Sequence, residues 1–386
     1  MDSTADIPLS CRQAHFNAYA VQIRLALRFL SMDHSLEEFK ERVDGLFKKV
    51  SFGKNCSRED ALSYLQSNLA KDLFRILCEN ASIDNPERNI LTCSVSHLGT
   101  IQHKLELRFG RDFNGPRAKV WVKCCLCLLK QLFDYDSFRA GCRFVECNDF
   151  GKMWWGGAMR DWSGAQFVQA MWQKVRYCLY CNADTVYAMN IQGGKRRLPY
   201  ASALDHFLPR RYYPYFGLSL YNLVPACTRC NSALKHDQYI RIDDVAHPYR
   251  DDVYGAFRFR AQIGERLADV LRFYPPHDEW LPHFEKLCVL RNYVRTRKLV
   301  EDVLHLYDVY ESLFKPELLE ILRVLKFVTP SVIESCRGRF NTMNIDPYYL
   351  VLGCSLGREA VLKSRLAKLK HDMLKQFRGR GCAASS

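Results

Sequence analysis

Two stretches hold the residue types that do chemistry. "YCLYCN" runs from Tyr177 to Asn182, and "LDHFLPRRYYPYFGLSLYNLVPACTRCNSALKHD" runs from Leu204 to Asp237. Together they contain two Cys-x-x-Cys pairs, Cys178/Cys181 and Cys227/Cys230. Each pair can present two thiolates from one tight turn, and two pairs complete the tetrahedral four-sulfur shell of a structural Zn²⁺ site. The pairs are separated by 45 residues, against roughly 15–20 in ordinary zinc-ribbon spacing. Such a metal would close a long loop rather than hold a small knuckle. Four unrelated buried cysteines would not be expected to share one spacing around a polar cluster. A redox pair would need a thioredoxin-like strand–helix context, which the surrounding residues lack.

Inside that loop lie Asp205, His206 and Asn222, with Asn231 directly after Cys230. Phosphodiester hydrolysis requires a base to activate water and a divalent cation on the phosphoryl and leaving oxygens. A carboxylate is a hard oxygen ligand for Mg²⁺ or Mn²⁺, an Asn amide oxygen can join it, and neutral imidazole is a base near pH 7. In an extended chain the adjacent Asp205 and His206 point to opposite sides, so a shared pocket needs a bend. Each residue also has a plainer use. Asn222 suits an ordinary turn, Asn231 can cap the helix that follows, and His236 and Asp237 read as a solvated helix end.

The order "YCLYCN", "ALDHFLP", "YNLVPACTRCNSALK" resembles the HNH endonucleases, whose fold is the ββα-metal motif. The family's first His falls on His206, its middle Asn on Asn222 and its last position on Asn231. The resemblance covers roughly residues 177–240. It implies that Asp205 and Asn231 bind one catalytic divalent cation, Mg²⁺ or Mn²⁺, and that His206 is the general base. It also implies that Asn222 holds the His206 ring from a neighbouring position. Asn at the last position makes this an H-N-N variant whose uncharged ligand binds metal more weakly and leans on substrate phosphate. The wording of the second stretch is also similar to HNH nucleases of bacterial antiphage and retron-associated systems, which implies a protein partner in a defence complex.

The chain has 386 residues and a formal net charge of +14. A basic excess of that size suits an anionic partner, nucleic acid above all. Lys195, Arg196, Arg197, Arg210, Arg211, Arg229 and Lys235 gather around the site in sequence, where phosphate contacts are expected. Tyr212, Tyr213, Tyr215 and Phe216 interleave with Arg210 and Arg211; they can stack on bases or pack as the wall of the loop. Seventeen cysteines without an amino-terminal secretion signal point to metal ligation or burial rather than disulfides, and to the cytoplasm. No run of apolar residues is long enough for a membrane span.

Elements must position these residues. The fold expected is mainly α with a small α+β insert: helical flanks around a ββα-metal core. Domains are expected at residues 1–165, 166–250 and 251–386. Ser57 and Asp60 form a capping signature ahead of Leu62, Leu65, Leu69, Leu73 and Leu77 at helical spacing. Val120–Phe133 reads as a buried helix in which Cys124 and Cys127 are small core thiols. Phe150–Phe167 reads as a Trp/Gly-rich linker, and Ala165–Tyr177 as a helix leading into the first thiol pair. Gly193-Gly194 signals a hairpin. Beyond residue 250 helices return, ending in a basic tail with eight Lys/Arg between Arg358 and Arg380, which reads as a solvated basic face or a contact for phosphate, membrane surface or partner.

The expected function is a metal-dependent endonuclease acting on DNA. Two other readings stand beside it: a zinc-stapled module that binds nucleic acid without cutting, and an RNA-directed nuclease.

Overall fold

The computed structural model describes residues 6–47, 56–145, 154–158, 162–180, 182, 184–193, 196–235, 237, 239–243, 247–251, 258–261, 271–274, 362–365, 367 and 370–371. It is helix-rich. The elements are α1 (Leu9–Leu30), α2 (Leu36–Phe47), α3 (Arg58–Leu65), α4 (Asn68–Glu79), α5 (Val95–Phe109), α6 (Val120–Leu132), α7 (Tyr135–Ala140) and α8 (Gly164–Met171). The strands β1 (Cys142–Val145), β2 (Trp154–Ala158), β3 (Ala188–Gly193), β4 (Arg196–Ala201), β5 (Ala203–His206), β6 (Leu223–Ala226), β7 (Arg258–Ala261) and β8 (Leu271–Tyr274) form four antiparallel pairs in sequence order.

The helices form where apolar residues recur at helical spacing. In α1, Cys11, His15, Tyr19, Ile23, Leu27 and Leu30 share the buried face. Ser57 and Asp60 cap α3 reciprocally. The expected leucine stripe is split, however. Helix α3 ends at Leu65, and Ser67 caps a new helix by accepting from the Ala70 N–H. Leu62, Leu65, Leu73 and Leu77 stay buried, whereas Leu69 is 41% exposed in the first turn of α4. Helix α6 buries Cys124 and Cys125 among Leu126, Leu128 and Leu129. Burial pushes the Cys124 thiol up to about 12, as suits a packing residue.

Three other expectations change. Trp154–Ala158, read as linker, pairs with β1. The helix expected over Ala165–Tyr177 stops at Met171. After residue 251 the described strands are β7 and β8, where helices were expected; in the basic tail residues 362–363, 367 and 370–371 are helical, and the other helices expected there lie outside the described residues. The Gly-Gly hairpin is present: β3 and β4 pair up to Gly193 and Arg196.

The core runs without a break across residues 165 and 166. His15 on α1 bonds the Leu218 carbonyl through Nε2 at 2.7 Å and accepts the Trp162 indole N–H on Nδ1 at 3.0 Å. The Ser219 hydroxyl donates to the Ile90 carbonyl, and the Leu220 N–H to the Leu91 carbonyl. The Asn114 amide holds the Tyr212 carbonyl and the Tyr215 hydroxyl. Tyr213, Tyr215 and Phe216 are fully buried, so these rings pack as wall. The helical region therefore clasps the 207–222 loop. Among the described residues no helix is long and apolar enough to cross a membrane.

Burial lowers His15 from its ordinary value to about 3, and His247 is lowered as well. The unfolded chain binds these protons as pH drops below about 6.5, whereas native His15 does so only near pH 3 and native His247 only at a pH well below its ordinary value. Stability should therefore fall with acidification by up to about 1.4 kcal/mol per pH unit for each such histidine. Urea denaturation at pH 7 and pH 5 checks this: His15→Gln should lose less stability over that interval than wild type, and equal losses would rule out His15 as a titrating contributor.

Candidate active site and thiol cluster

The site starts at the thiols. Cys178, Cys227 and Cys230 are buried, and their sulfurs lie within 4.8 Å of one another. Thiolates bound to one zinc at ~2.3 Å sit roughly 3.8 Å apart, so a small inward movement closes the set. Both turns are shaped for the task. The Cys230 N–H points at the Cys227 sulfur at 3.4 Å, the Asn182 N–H closes on the Cys178 carbonyl at 2.8 Å, and Asn182 takes φ 55°, a left-handed conformation that Asn tolerates. Cys181, the expected fourth ligand, lies outside the described residues. No disulfide joins the cysteines described.

Strands β5 and β6 form a short hairpin with Asp205 opposite Val224 and His206 opposite Leu223. The chain then runs through Cys227 into a π-helix, Arg229–Lys235. A cavity of ≈ 870 Å³ opens over this unit, and Asp205, His206, Asn231, Lys235, Arg210 and Arg139 are among the residues around it. Asp205 and His206 thus reach one cavity, although they are neighbours on a strand.

Asp205 is 4% exposed. It accepts from the Tyr180 hydroxyl at 2.5 Å, and Lys235 Nζ lies 3.1 and 3.0 Å from its two oxygens. Burial and the neighbouring Asp205 charge hold the Tyr180 phenol well above its ordinary value, so Tyr180 stays a donor. Tyr180 is the residue between Leu179 and Cys181, inside the first Cys-x-x-Cys. The thiol turn and the carboxylate are therefore mechanically linked.

His206 is half-buried. Its Nε2 lies 3.0 Å from the Gly217 carbonyl. A carbonyl only accepts, so Nε2 carries the proton and Nδ1 keeps its lone pair. The Tyr135 ring meets the imidazole edge-on at 4.5 Å. Burial first, then the nearby Arg210 guanidinium, lower His206 to about 3, which keeps the ring neutral at pH 7. Gly217 is required where it stands: a Cβ there would lie 2.9 Å from the Pro214 carbonyl oxygen and 3.0 Å from that of Phe133.

Asn222 does something other than expected. The resemblance implies a hold on the His206 ring, whereas the amide clamps the loop backbone. Oδ1 accepts from the Leu208 N–H at 2.7 Å, and Nδ2 donates to the Leu208 and Phe216 carbonyls at 3.2 and 3.0 Å. It thereby fixes the residue before Gly217, whose carbonyl holds the imidazole. Asn231 sits inside the π-helix, with its N–H on the Cys227 carbonyl, rather than at a cap.

The expected phosphate contacts divide. Lys235 is 2% exposed and bound to Asp205, so in this conformation its ammonium is not a surface contact; a buried carboxylate beside it outcompetes water. Arg210 pairs with Asp136 at 3.0 Å and lies over the Tyr135 ring. Arg211 is exposed and lies over Tyr212. Arg196 and Arg197 stand on β4; Lys195 lies outside the described residues. Sequence reasoning missed Tyr135 and Arg139, brought to the cavity by α7. No local pattern announces them. Tyr180 had one signal, its place inside the thiol pair.

No family model matches the chain, and no solved structure matches it. A stretch of 51 residues, 12% of this chain, is 45% identical to Protein ea31 of Escherichia phage lambda and covers 17% of that protein's length. The chain thus spans less than a fifth of that relative.

Asn222→Ala should strip one acceptor and two donor contacts from a buried loop. A loss of more than about 2 kcal/mol is expected in urea denaturation, since buried backbone groups left unpaired cost about 1–3 kcal/mol each. A midpoint like that of wild type would mean the clamp is dispensable.

Proposed function

We propose that the chain is a metal-dependent endonuclease of the HNH type that hydrolyses DNA. The observation that supports this most is the meeting of His206, Asp205 and Asn231 at one cavity, on a unit ordered strand, antiparallel strand, helix. A binding module needs no neutral imidazole with a free-standing lone pair beside a buried carboxylate. A basic chain suits a nucleic-acid substrate.

His206 is the general base. Its Nε2–H is engaged by the Gly217 carbonyl, so Nδ1 takes the proton from water as the water oxygen bonds to phosphorus. The P–O3′ bond breaks, leaving a 5′-phosphate and a 3′-hydroxyl after the oxygen gains a proton from solvent. Asp205 and Asn231 line the same cavity, and a carboxylate with an amide oxygen is a donor set that fits a hard divalent cation. Mg²⁺ or Mn²⁺ held there would stabilise the charge that builds on the phosphoryl and leaving oxygens. Arg210 and Arg139 border the cavity and supply positive charge for the phosphates on either side. The thiol cluster is the structural Zn²⁺ site, with Cys181 completing the four ligands. Antiphage defence, with a protein partner, is the setting the resemblance suggests.

Purified wild type with Mg²⁺ or Mn²⁺ should nick plasmid DNA, EDTA should stop it, and His206→Ala should slow it at least about 100-fold, the usual contribution of a general base. A His206→Ala variant that cuts as fast as wild type would sink the assignment. Gel-shift without cleavage by either protein would favour the binding module, and cutting confined to an RNA substrate would move the target to RNA.

Elemental analysis should find about one zinc per chain. Cys227→Ser should lose that zinc and lower the melting temperature, because structural zinc binding is folding free energy. A zinc-free wild type of unchanged stability would overturn the zinc reading.

A further inference from the structure

Lys235 is the last residue of the π-helix and is almost completely buried. Lysine is rarely buried unless paired. Here its ammonium, a donor of three N–H bonds, faces three acceptors: Asp205 Oδ1 at 3.1 Å, Asp205 Oδ2 at 3.0 Å and the His206 carbonyl at 2.7 Å. Tyr180 adds its hydroxyl to Oδ2. The carboxylate therefore has three contacts supplied by the chain, and both of its oxygens face the Lys235 ammonium.

Two cations on one buried carboxylate repel each other strongly. A divalent ion that takes an oxygen of Asp205 must face the ammonium or replace it. Replacement is open to this side chain. Lys235 borders the same cavity as Asn231, Ser232 and Asp237, and its four-carbon stem can swing the charge without moving the backbone. A phosphate in that cavity is an anion the displaced ammonium can pair with.

We propose that Lys235 is the resident counter-cation of Asp205, and that a divalent cation gains Asp205 only by displacing it into the cavity. This rests on the reading of Asp205 as a metal ligand and adds a consequence that reading lacks. The protein without nucleic acid binds the catalytic metal weakly, because the lysine competes. Substrate phosphate relieves the competition by accepting the displaced ammonium, so metal and nucleic acid load together.

The test uses zinc-loaded full-length protein and Mn²⁺ alone, with free Mn²⁺ followed by electron paramagnetic resonance. Lys235→Met should bind Mn²⁺ at least ten-fold more tightly than wild type, and Lys235→Met/Asp205→Asn should lose that gain. Equal or weaker binding by Lys235→Met overturns the proposal. If Lys235→Met does not fold, the wild type answers by itself. Acylation of Lys235 by an amine-reactive ester, read by peptide mass spectrometry, should be slow in the apo protein and accelerate at least several-fold at saturating Mn²⁺. Unchanged labelling overturns the proposal. The outcome separates from the nuclease reading: a Mn²⁺-dependent nuclease whose Lys235→Met variant has wild-type Mn²⁺ affinity keeps the activity and loses the displacement. Tight Mn²⁺ binding by a variant of a protein that never cuts does the reverse.

Discussion

A buried carboxylate ties three separate pieces of chain together. Asp205 belongs to a strand, Tyr180 to a thiol turn, and Lys235 to the end of a helix, and they meet through bonds of 2.5–3.1 Å. None of the three could be buried in isolation. The carboxylate needs a counter-charge, the ammonium needs acceptors, and the phenol needs a partner. Their mutual satisfaction decides where the hairpin sits relative to both thiol turns. Removing Asp205 or Lys235 would leave the other as a buried charge without its counter-ion, so those two depend on each other.

The thiols serve the same end from outside. Cys178 lies before Tyr180, and Cys227 and Cys230 lie before Asn231 and Lys235. Gathering the three sulfurs brings the carriers of the polar residues together from positions some 50 apart in the chain. A metal held by these sulfurs would close that long loop and remove chain entropy that local contacts would otherwise have to offset. The thiol turns thus gather the chain segments that carry Tyr180, Asn231 and Lys235.

What was legible in the sequence follows from range. Signals confined to a few residues came through: the Ser57/Asp60 cap, the Gly193-Gly194 hairpin, and the Cys-x-x-Cys spacing whose three described sulfurs converge. Signals that depend on partners far along the chain did not. Nothing near Lys235 says that its charge goes to Asp205, thirty residues earlier, rather than to solvent. Asn222 was assigned to the imidazole from its order in the motif. Its actual partners, Leu208 and Phe216, are backbone groups and have no sequence signature. Leu69 keeps helical spacing across the split between α3 and α4, so the apolar period hides it, while the Ser67 cap is the local signal that marks the start of α4.

The helical region bears on the site more than its position suggests. Tyr135 on α7 packs on the His206 ring, Arg139 borders the cavity, and Asp136 holds Arg210. Deeper in, His15 and Asn114 hold the loop between β5 and β6 from behind. That loop carries Gly217, and Gly217 holds the imidazole by its carbonyl. The chain of positions runs from α1 through Leu218 and Gly217 to the half-buried His206. A fragment beginning at residue 166 would expose Tyr213, Tyr215 and Phe216, which are fully covered in the whole chain, and would lose the partners that orient the His206 ring. The smallest unit able to form this site therefore includes the amino-terminal helices, and the helices are part of its construction rather than an appendage to it.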